Sequence, residues 1–274
     1  CNADYMLAGR DIHPVILGVC HELGVEEVYR IGGVQAVGAL ACGTQSIRKV
    51  DIIVGPGNSW VQAAKKNVAG DYVGIDSIAG PSEVFIIAND QADPAWVAAD
   101  MLSQAEHAAD SSAVVATDSE LLARAIVAQL ASQLAQLPRA DEARASLKRF
   151  SRVIVVADMD AAVDLANEFA SEHLEIQCGS RSREIADRIA NAGAIFIGPH
   201  TPVAVGDYWA GPSHTLPTGT RAKFSSALTS NDFLKSISLI EYSPERLAAC
   251  ADDIIRLAQV EGLDAHARSV QIRL

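Results

Sequence analysis

Apolar positions along this chain form short runs that alternate with stretches of helical period. Ile12–Leu23 has helical spacing, Glu27–Ile31 reads as a strand and Val34–Ala41 as a helix. Val50–Val54 is then a strand, Ser59–Val68 a helix and Tyr72–Ile75 a strand. Short apolar runs that end in glycine and give way to helical periodicity predict β-α-β units and a parallel sheet. A second series starts at Glu83, with strand Val84–Ala88, helix Pro94–Gln104, strand Ala113–Ala116 and a long amphipathic helix Glu120–Leu137 that Pro138 breaks. Strand Arg152–Val156, helix Met159–Ala170, strand Leu174–Gln177, helix Ser182–Ala190 and strand Ala194–Ile197 follow. Between Gly198 and Thr220 the periodicity disappears, and a loop of that length is uncommon unless it has a job. One more short strand is expected at Ser238–Glu241, then a helical tail, Pro244–Gln259 and Asp264–Val270. The Gly80-Pro81 turn is the expected domain boundary.

Composition narrows the partners. A net charge of −12 argues against nucleic acid or an anionic membrane. No apolar run reaches the roughly 18 uncharged residues that a transmembrane helix needs. The five cysteines, Cys1, Cys20, Cys42, Cys178 and Cys250, are scattered and odd in number, which predicts structural thiols in a reducing, cytoplasmic setting. Residue 1 is Cys rather than Met, so the true N-terminus is expected upstream.

Polar chemistry concentrates in four clusters. Gln104 and His107, at the end of the Pro94 helix, share the spacing that puts two side chains on one helix face, and amide oxygen and imidazole are both uncharged metal donors. Glu172-His173 opens a strand; adjacent titratable residues can serve one site only at a loop or strand start, where burial can poise a pair of bases or acids. Asp207 and His214 lie inside the irregular loop, and Asp207 offers the anionic oxygen that zinc often takes. Glu261 and His266 flank Gly262, which breaks the tail helix. A solvated pair or a satisfied surface histidine is the bland alternative for each cluster. The remaining histidines, His13, His21 and His200, read as structural, with His13 ahead of Pro14 helping to start a helix. Gly32-Gly33 and Gly55-Pro56-Gly57 each follow a strand and open a helix, a junction that can present backbone N–H groups to phosphate. Neither is a full G-x-G-x-x-G, because Trp60 stands where the third glycine would fall.

Taken together, the segments SQAEH, SEHLEIQ, GDYWAGPSHTLPTG and EGLDAH, with GGVQAVGALACGT, VGPGN and AGPSEV, resemble the motif set of the histidinol dehydrogenase family in order and spacing from about Ile12 to the C-terminus. The resemblance implies an α/β fold of two Rossmann-like parallel-sheet domains plus a C-terminal helical tail. It divides the chain into an NAD-binding part (1–80), a zinc- and substrate-binding part (81–228) and a dimerisation tail (229–274). It implies oxidation of L-histidinol to L-histidine through the aldehyde, with two NAD+ and one zinc ion per subunit. By the same resemblance Gln104, His107, Asp207 and His266 are the zinc ligands, which also meet the substrate. His173 is the base for the alcohol proton, and Glu172 activates water for the second oxidation. Ser82, His214 and Glu261 contact substrate, and Gln35 and Asn58 touch NAD. The family is homodimeric with exchanged tails, so Glu261 and His266 serve the partner's site.

The family also carries a long segment ahead of the part that matches Ile12, where this chain has only Cys1–Asp11. The expectation is therefore a chain whose N-terminal part is missing relative to the family, with metal and substrate residues complete and the cofactor site incomplete. A non-catalytic remnant, a sister dehydrogenase for another small alcohol and, more distantly, a zinc hydrolase are the competing readings.

Overall fold

The computed structural model describes the backbone of residues 4–6 and the whole of residues 12–274; the rest of Cys1–Asp11 lies outside the described residues. The chain divides into two compact units, Cys1–Phe233 and Leu234–Leu274.

The first unit begins with β1 (Asp4–Met6), α1 (Pro14–Glu22), β2 (Glu27–Tyr29), α2 (Gly33–Cys42), β3 (Ile52–Ile53), α3 (Ser59–Val68) and β4 (Gly74–Ile75). β1 pairs with β2 and β3 with β4, both in parallel. His13 caps α1, its Nδ1 accepting the Val15 N–H at 3.3 Å ahead of Pro14. Val37, Leu40, Ala41, Ile47, Ile53 and Val73 form the core of this region. The strands are shorter than their apolar runs predict. Val50 donates to the Leu40 carbonyl, and Tyr72 and Val73 donate to that of Val68, so the turns that close α2 and α3 hold these residues instead of a ladder.

The chain continues through β5 (Glu83–Ala88), α4 (Pro94–Ala105), β6 (Ser112–Thr117), α5 (Glu120–Leu134), α6 (Ala140–Phe150), β7 (Arg152–Val155), α7 (Met159–Phe169), β8 (His173–Gln177), α8 (Ser182–Ala186), β9 (Ala194–Ile197) and α9 (Val203–Tyr208). The five strands form one parallel sheet in the order β7-β6-β5-β8-β9, the winding of a Rossmann-like unit. Its centre is covered on both faces, which is why β5 is apolar after Glu83 rather than alternating. Phe85 and Ile87 pack with α7 and α8 on one face, Val84 and Ile86 with α4 and α5 on the other.

Three further differences from the predicted elements fall in this part of the chain. The helix from Glu120 stops at Leu134, and α6 forms where none is expected; it buries only Ala143 and Ser146, so its apolar stripe is too thin to register as periodicity. The helix from Ser182 ends at Ala186, where Arg188 and Ile189 turn back onto the carbonyls of Ile185 and Ala186. The irregular stretch after Gly198 contains α9, so Asp207 sits on a helix rather than in a loop.

The second unit holds α10 (Pro244–Val260) and α11 (Asp264–Gln271). Ser243 caps α10 through the Arg246 N–H at 3.2 Å, and Gly262, at φ +72°, makes the break. Ala251, Ala258 and Ala267 are buried where these helices pack. The expected strand Ser238–Glu241 does not form: among the described residues it has no ladder partner, and β-propensity needs a neighbouring edge to be realised. No helix among the described residues is long and apolar enough to cross a membrane.

Candidate active site

Four of the candidate residues and their neighbours gather at the amino ends of the two central strands, Ser82 and Glu83 on one and Glu172 and His173 on the other. β5 and β8 are neighbours, with Val84 opposite His173, so Ser82, Glu83 and Glu172 all stand at one edge of the sheet. Ligands of doubly wound sheets ordinarily lie at the other edge, outside the carboxyl ends. Here side chains tie the carboxyl ends of β5 and β8 together. Asn89 bonds to the carbonyls of Gln177 and Cys178, both at 3.4 Å, and Gln91 lies so close over Gly179 that a Cβ there would fall 1.8 Å from its Oε1.

Glu172 is anchored at both ends. Its carbonyl accepts the Ala194 N–H at 3.0 Å, and its Oε2 accepts the Glu83 N–H at 3.0 Å. Burial pushes its carboxyl up to about 8; the Glu83 N–H and the Ser82 hydroxyl oppose this, while the carboxylates of Glu83 and Asp207 add to it. Glu83 is itself raised by burial, although its Oε1 accepts the Gly219 N–H at 2.7 Å. At neutral pH Glu172 therefore holds a proton.

His173 is poised the opposite way. Burial lowers it to about 4, with the Asp207 carboxylate opposing and His107 and His214 reinforcing, so the ring is neutral at pH 7. Its Nδ1 lies 3.1 Å from both the Glu83 carbonyl and Gln104 Oε1, and 3.6 Å from Glu172 Oε2. All three are acceptors, so Nδ1 carries the hydrogen and Nε2 is left with the free lone pair.

A cavity of about 180 Å³ opens beside this ring. Phe196, Val205 and Leu216 supply apolar walls, while His173, Asp207 and His214 supply polar groups. An apolar cavity of about 150 Å³ admits a benzene ring, so this one has room for a small ring with a short polar chain. Phe196 lies between the ring and α9: its centroid is 5.9 Å from that of His173, and a Cβ on Gly206 would come within 2.7 Å of its edge.

Gln104, His107, Asp207 and His214 thus surround His173, by contact or through their charges. Among the described residues no three His, Cys, Asp or Glu side chains converge into a metal cage. One feature nevertheless suits a cation. Gln104 is buried and its Nε2 has no partner. Turned over, the same amide would present its oxygen at that point and its NH2 to His173 Nδ1, whose hydrogen the Glu83 carbonyl would then accept alone. Glu261 and His266 are exposed on the second unit. Gln35 and Asn58 lie apart from the cavity, on the α2 and α3 side. Asn58 Oδ1 accepts the N–H groups of Trp60 and Val61, both at 3.1 Å, so the start of α3 is already capped. α2 has no side-chain cap after Gly32, and Gly33 takes φ +74°, so its first N–H groups suit a phosphate.

Sequence reasoning missed Glu83, Phe196 and the buried Glu175. Glu83 had a signal, since an acid opening an otherwise apolar central strand needs a partner. Phe196 had none, because an aromatic in a strand is ordinarily core.

The Histidinol dehydrogenase family model matches residues 6–274. The histidinol dehydrogenase of Nitrobacter winogradskyi is 52% identical over 267 residues, which is 97% of this chain and 62% of that protein. That of Rhodopseudomonas palustris is 51% identical, over 97% of this chain and 61% of its own length. The crystal structure of histidinol dehydrogenase from Elizabethkingia anophelis superposes with a TM-score of 0.90 at 38% identity, covering 96% of this chain and 60% of that one. This chain therefore spans about three fifths of the length of the curated relatives it matches. With the family model matching residues 6–274 and the fold superposing on that of a relative, the chain belongs to the histidinol dehydrogenase family.

Proposed function

We propose that this chain carries the catalytic machinery of a cytoplasmic, zinc- and NAD-dependent dehydrogenase that oxidises L-histidinol to L-histidine through histidinaldehyde. The observation that carries this reading is the pair at one strand start: His173 lines the cavity with its Nδ1 held by the Glu83 carbonyl and Gln104, beside a Glu172 anchored by the Glu83 N–H. In this reading residues 1–80 belong to the NAD-binding domain, 81–228 to the zinc and substrate domain, and 229–274 to a dimerisation tail.

Bound zinc supplies charge that orients the substrate and polarises its oxygen, and NAD+ supplies the hydride acceptor in each of two oxidations. Gln104, His107 and Asp207 are the ligands held by the first unit, and His266 of the exchanged tail in the homodimer completes the set. Gln35 and Asn58 contact NAD. In the first oxidation His173 Nε2 takes the hydroxyl proton while the carbon loses its hydride. In the second, Glu172 in its ionised form takes a proton from water, whose oxygen adds to the aldehyde carbon before the second hydride leaves. The apolar walls of the cavity receive the flat imidazole of the substrate. Ser82, His214 and Glu261 bind its polar groups.

Zinc-loaded protein mixed with L-histidinol and NAD+ should form two NADH per histidine. No NADH from zinc-loaded protein would overturn the reading. Equal turnover of other small alcohols would favour a sister dehydrogenase.

A further inference from the structure

A buried polar cluster lies one step behind the site, and the proposed chemistry does not use it. β8 points His173, Glu175 and Gln177 to one face, towards the α4 positions Asp100 and Gln104, one helical turn apart. Glu175 is 1% exposed on a central strand. Gln177 Nε2 donates to Asp100 Oδ2 at 2.7 Å and lies 3.3 Å from Glu175 Oε2. Burial raises the carboxyls of both Asp100 and Glu175, which lie against each other. The remaining oxygen, Glu175 Oε1, accepts the N–H of Val203 at 2.9 Å.

That last bond reaches out of the cluster. Val203 is the first residue of α9, and Pro202 before it offers no side-chain cap. The Val203 N–H is thus one of the donors that a helix start leaves without a partner, and a residue 28 positions away in sequence supplies one. Asp207 follows one turn later on the same helix, and Val205, Gly206 and Asp207 all line the cavity. The two strand residues His173 and Glu175 therefore touch opposite parts of one arrangement: the first lines the cavity, the second holds the helix that forms its far wall.

We propose that Glu175 is a positioning residue, which ties the start of α9 to β8 and so holds Asp207 at a set distance from His173. The assignment of a binding role to Asp207 rests on the function proposed above; the tether itself does not.

The test uses amide hydrogen exchange and zinc affinity together. In the unmodified protein the Val203 amide should be protected like a helix-interior amide, although a first-turn amide without a partner exchanges freely. In Glu175→Gln the amide oxygen still accepts from Val203, while its NH2 replaces the Oε2 that faces Gln177 Nε2; the tether survives although that second bond is lost, so Val203 protection and zinc affinity should stay within about 2-fold. In Glu175→Leu exchange should rise about 10-fold or more from Val203 through Trp209, and zinc, followed by chelator competition on the folded fraction, should bind about 10- to 100-fold more weakly, the usual effect of removing a group that orients a ligand. A freely exchanging Val203 in the unmodified protein would overturn the tether even if the leucine variant failed to fold. Faster exchange at Val203 alone, with Asp207 to Trp209 still protected, would overturn the positioning role. If the unmodified protein binds no zinc, the functional reading fails, and the exchange pattern along α9 still decides this proposal.

Discussion

Replacing Glu172 by Gln should flatten the dependence of stability on pH. The native carboxyl titrates at about 8, against an ordinary value of 4.5. Below pH 4.5 both native and unfolded states are protonated. Between 4.5 and 8 the unfolded chain loses a proton that the native state keeps, so stability falls as pH rises, by about 1.4 kcal/mol per pH unit. Across the window the loss from this one group is roughly 5 kcal/mol, and above pH 8 it is complete. Glutamine removes the titration and keeps the geometry: its oxygen can accept the Glu83 N–H, and its NH2 replaces the acid hydroxyl as donor. Glu83, Asp100 and Glu175 are also raised and tilt the whole curve the same way, so the informative quantity is the difference between variant and parent. Urea unfolding of metal-free protein at half-unit steps from pH 5 to 8 measures it. The parent should lose about 1.4 kcal/mol more per pH unit than the variant. Parallel curves would refute the reasoning, because they would mean that Glu172 is already ionised in the native state at neutral pH.

The second oxidation should accelerate as pH rises through about 8, since Glu172 serves as base only when ionised; a rate that falls over this range would contradict the role. His173→Ala should keep its zinc content and lose about 100-fold or more in turnover, and unchanged turnover would exclude His173 as the base. His266→Ala should lose metal, and mixing it with a His173→Ala chain should restore some activity if tails are exchanged; absence of any complementation in verified heterodimers would argue against exchange. Gly193→Ala should destabilise the site edge by about 1–3 kcal/mol, because a Cβ would lie 2.5 Å from the Glu172 carbonyl oxygen; thermal unfolding measures it. Lys65→Met should cost about 3–5 kcal/mol by stranding the buried Asp76 carboxylate, and an unchanged urea midpoint would show that water reaches the pair.

The sequence by itself determined the βαβ order, the parallel sheet, the helical tail and the residues worth suspecting. These follow from local pattern: apolar runs of strand length, helical period, glycine at junctions, and titratable residues paired where no core needs them. The prediction that Glu172 and His173 belong to a strand start is of this kind, since adjacent side chains share a site only there. Local pattern failed where burial was thin, as in α6, or where pairing required an absent neighbour, as at Ser238–Glu241. Only tertiary structure brought Ser82, Glu83, Glu172 and His173 together at the amino edge of the sheet, because it pairs β5 with β8. It also decided the opposed protonation of the pair. Two adjacent residues with ordinary values of 4.5 and 6.5 exchange order, to about 8 and about 4, because one dry environment disfavours charge on either. Glu175 was legible only as a polar residue in a buried strand; its tie to α9 exists because the fold brings Val203 to it. Sequence spacing encodes which groups are available, whereas desolvation and hydrogen-bond partners, which set what those groups do, depend on atoms that the fold alone brings near.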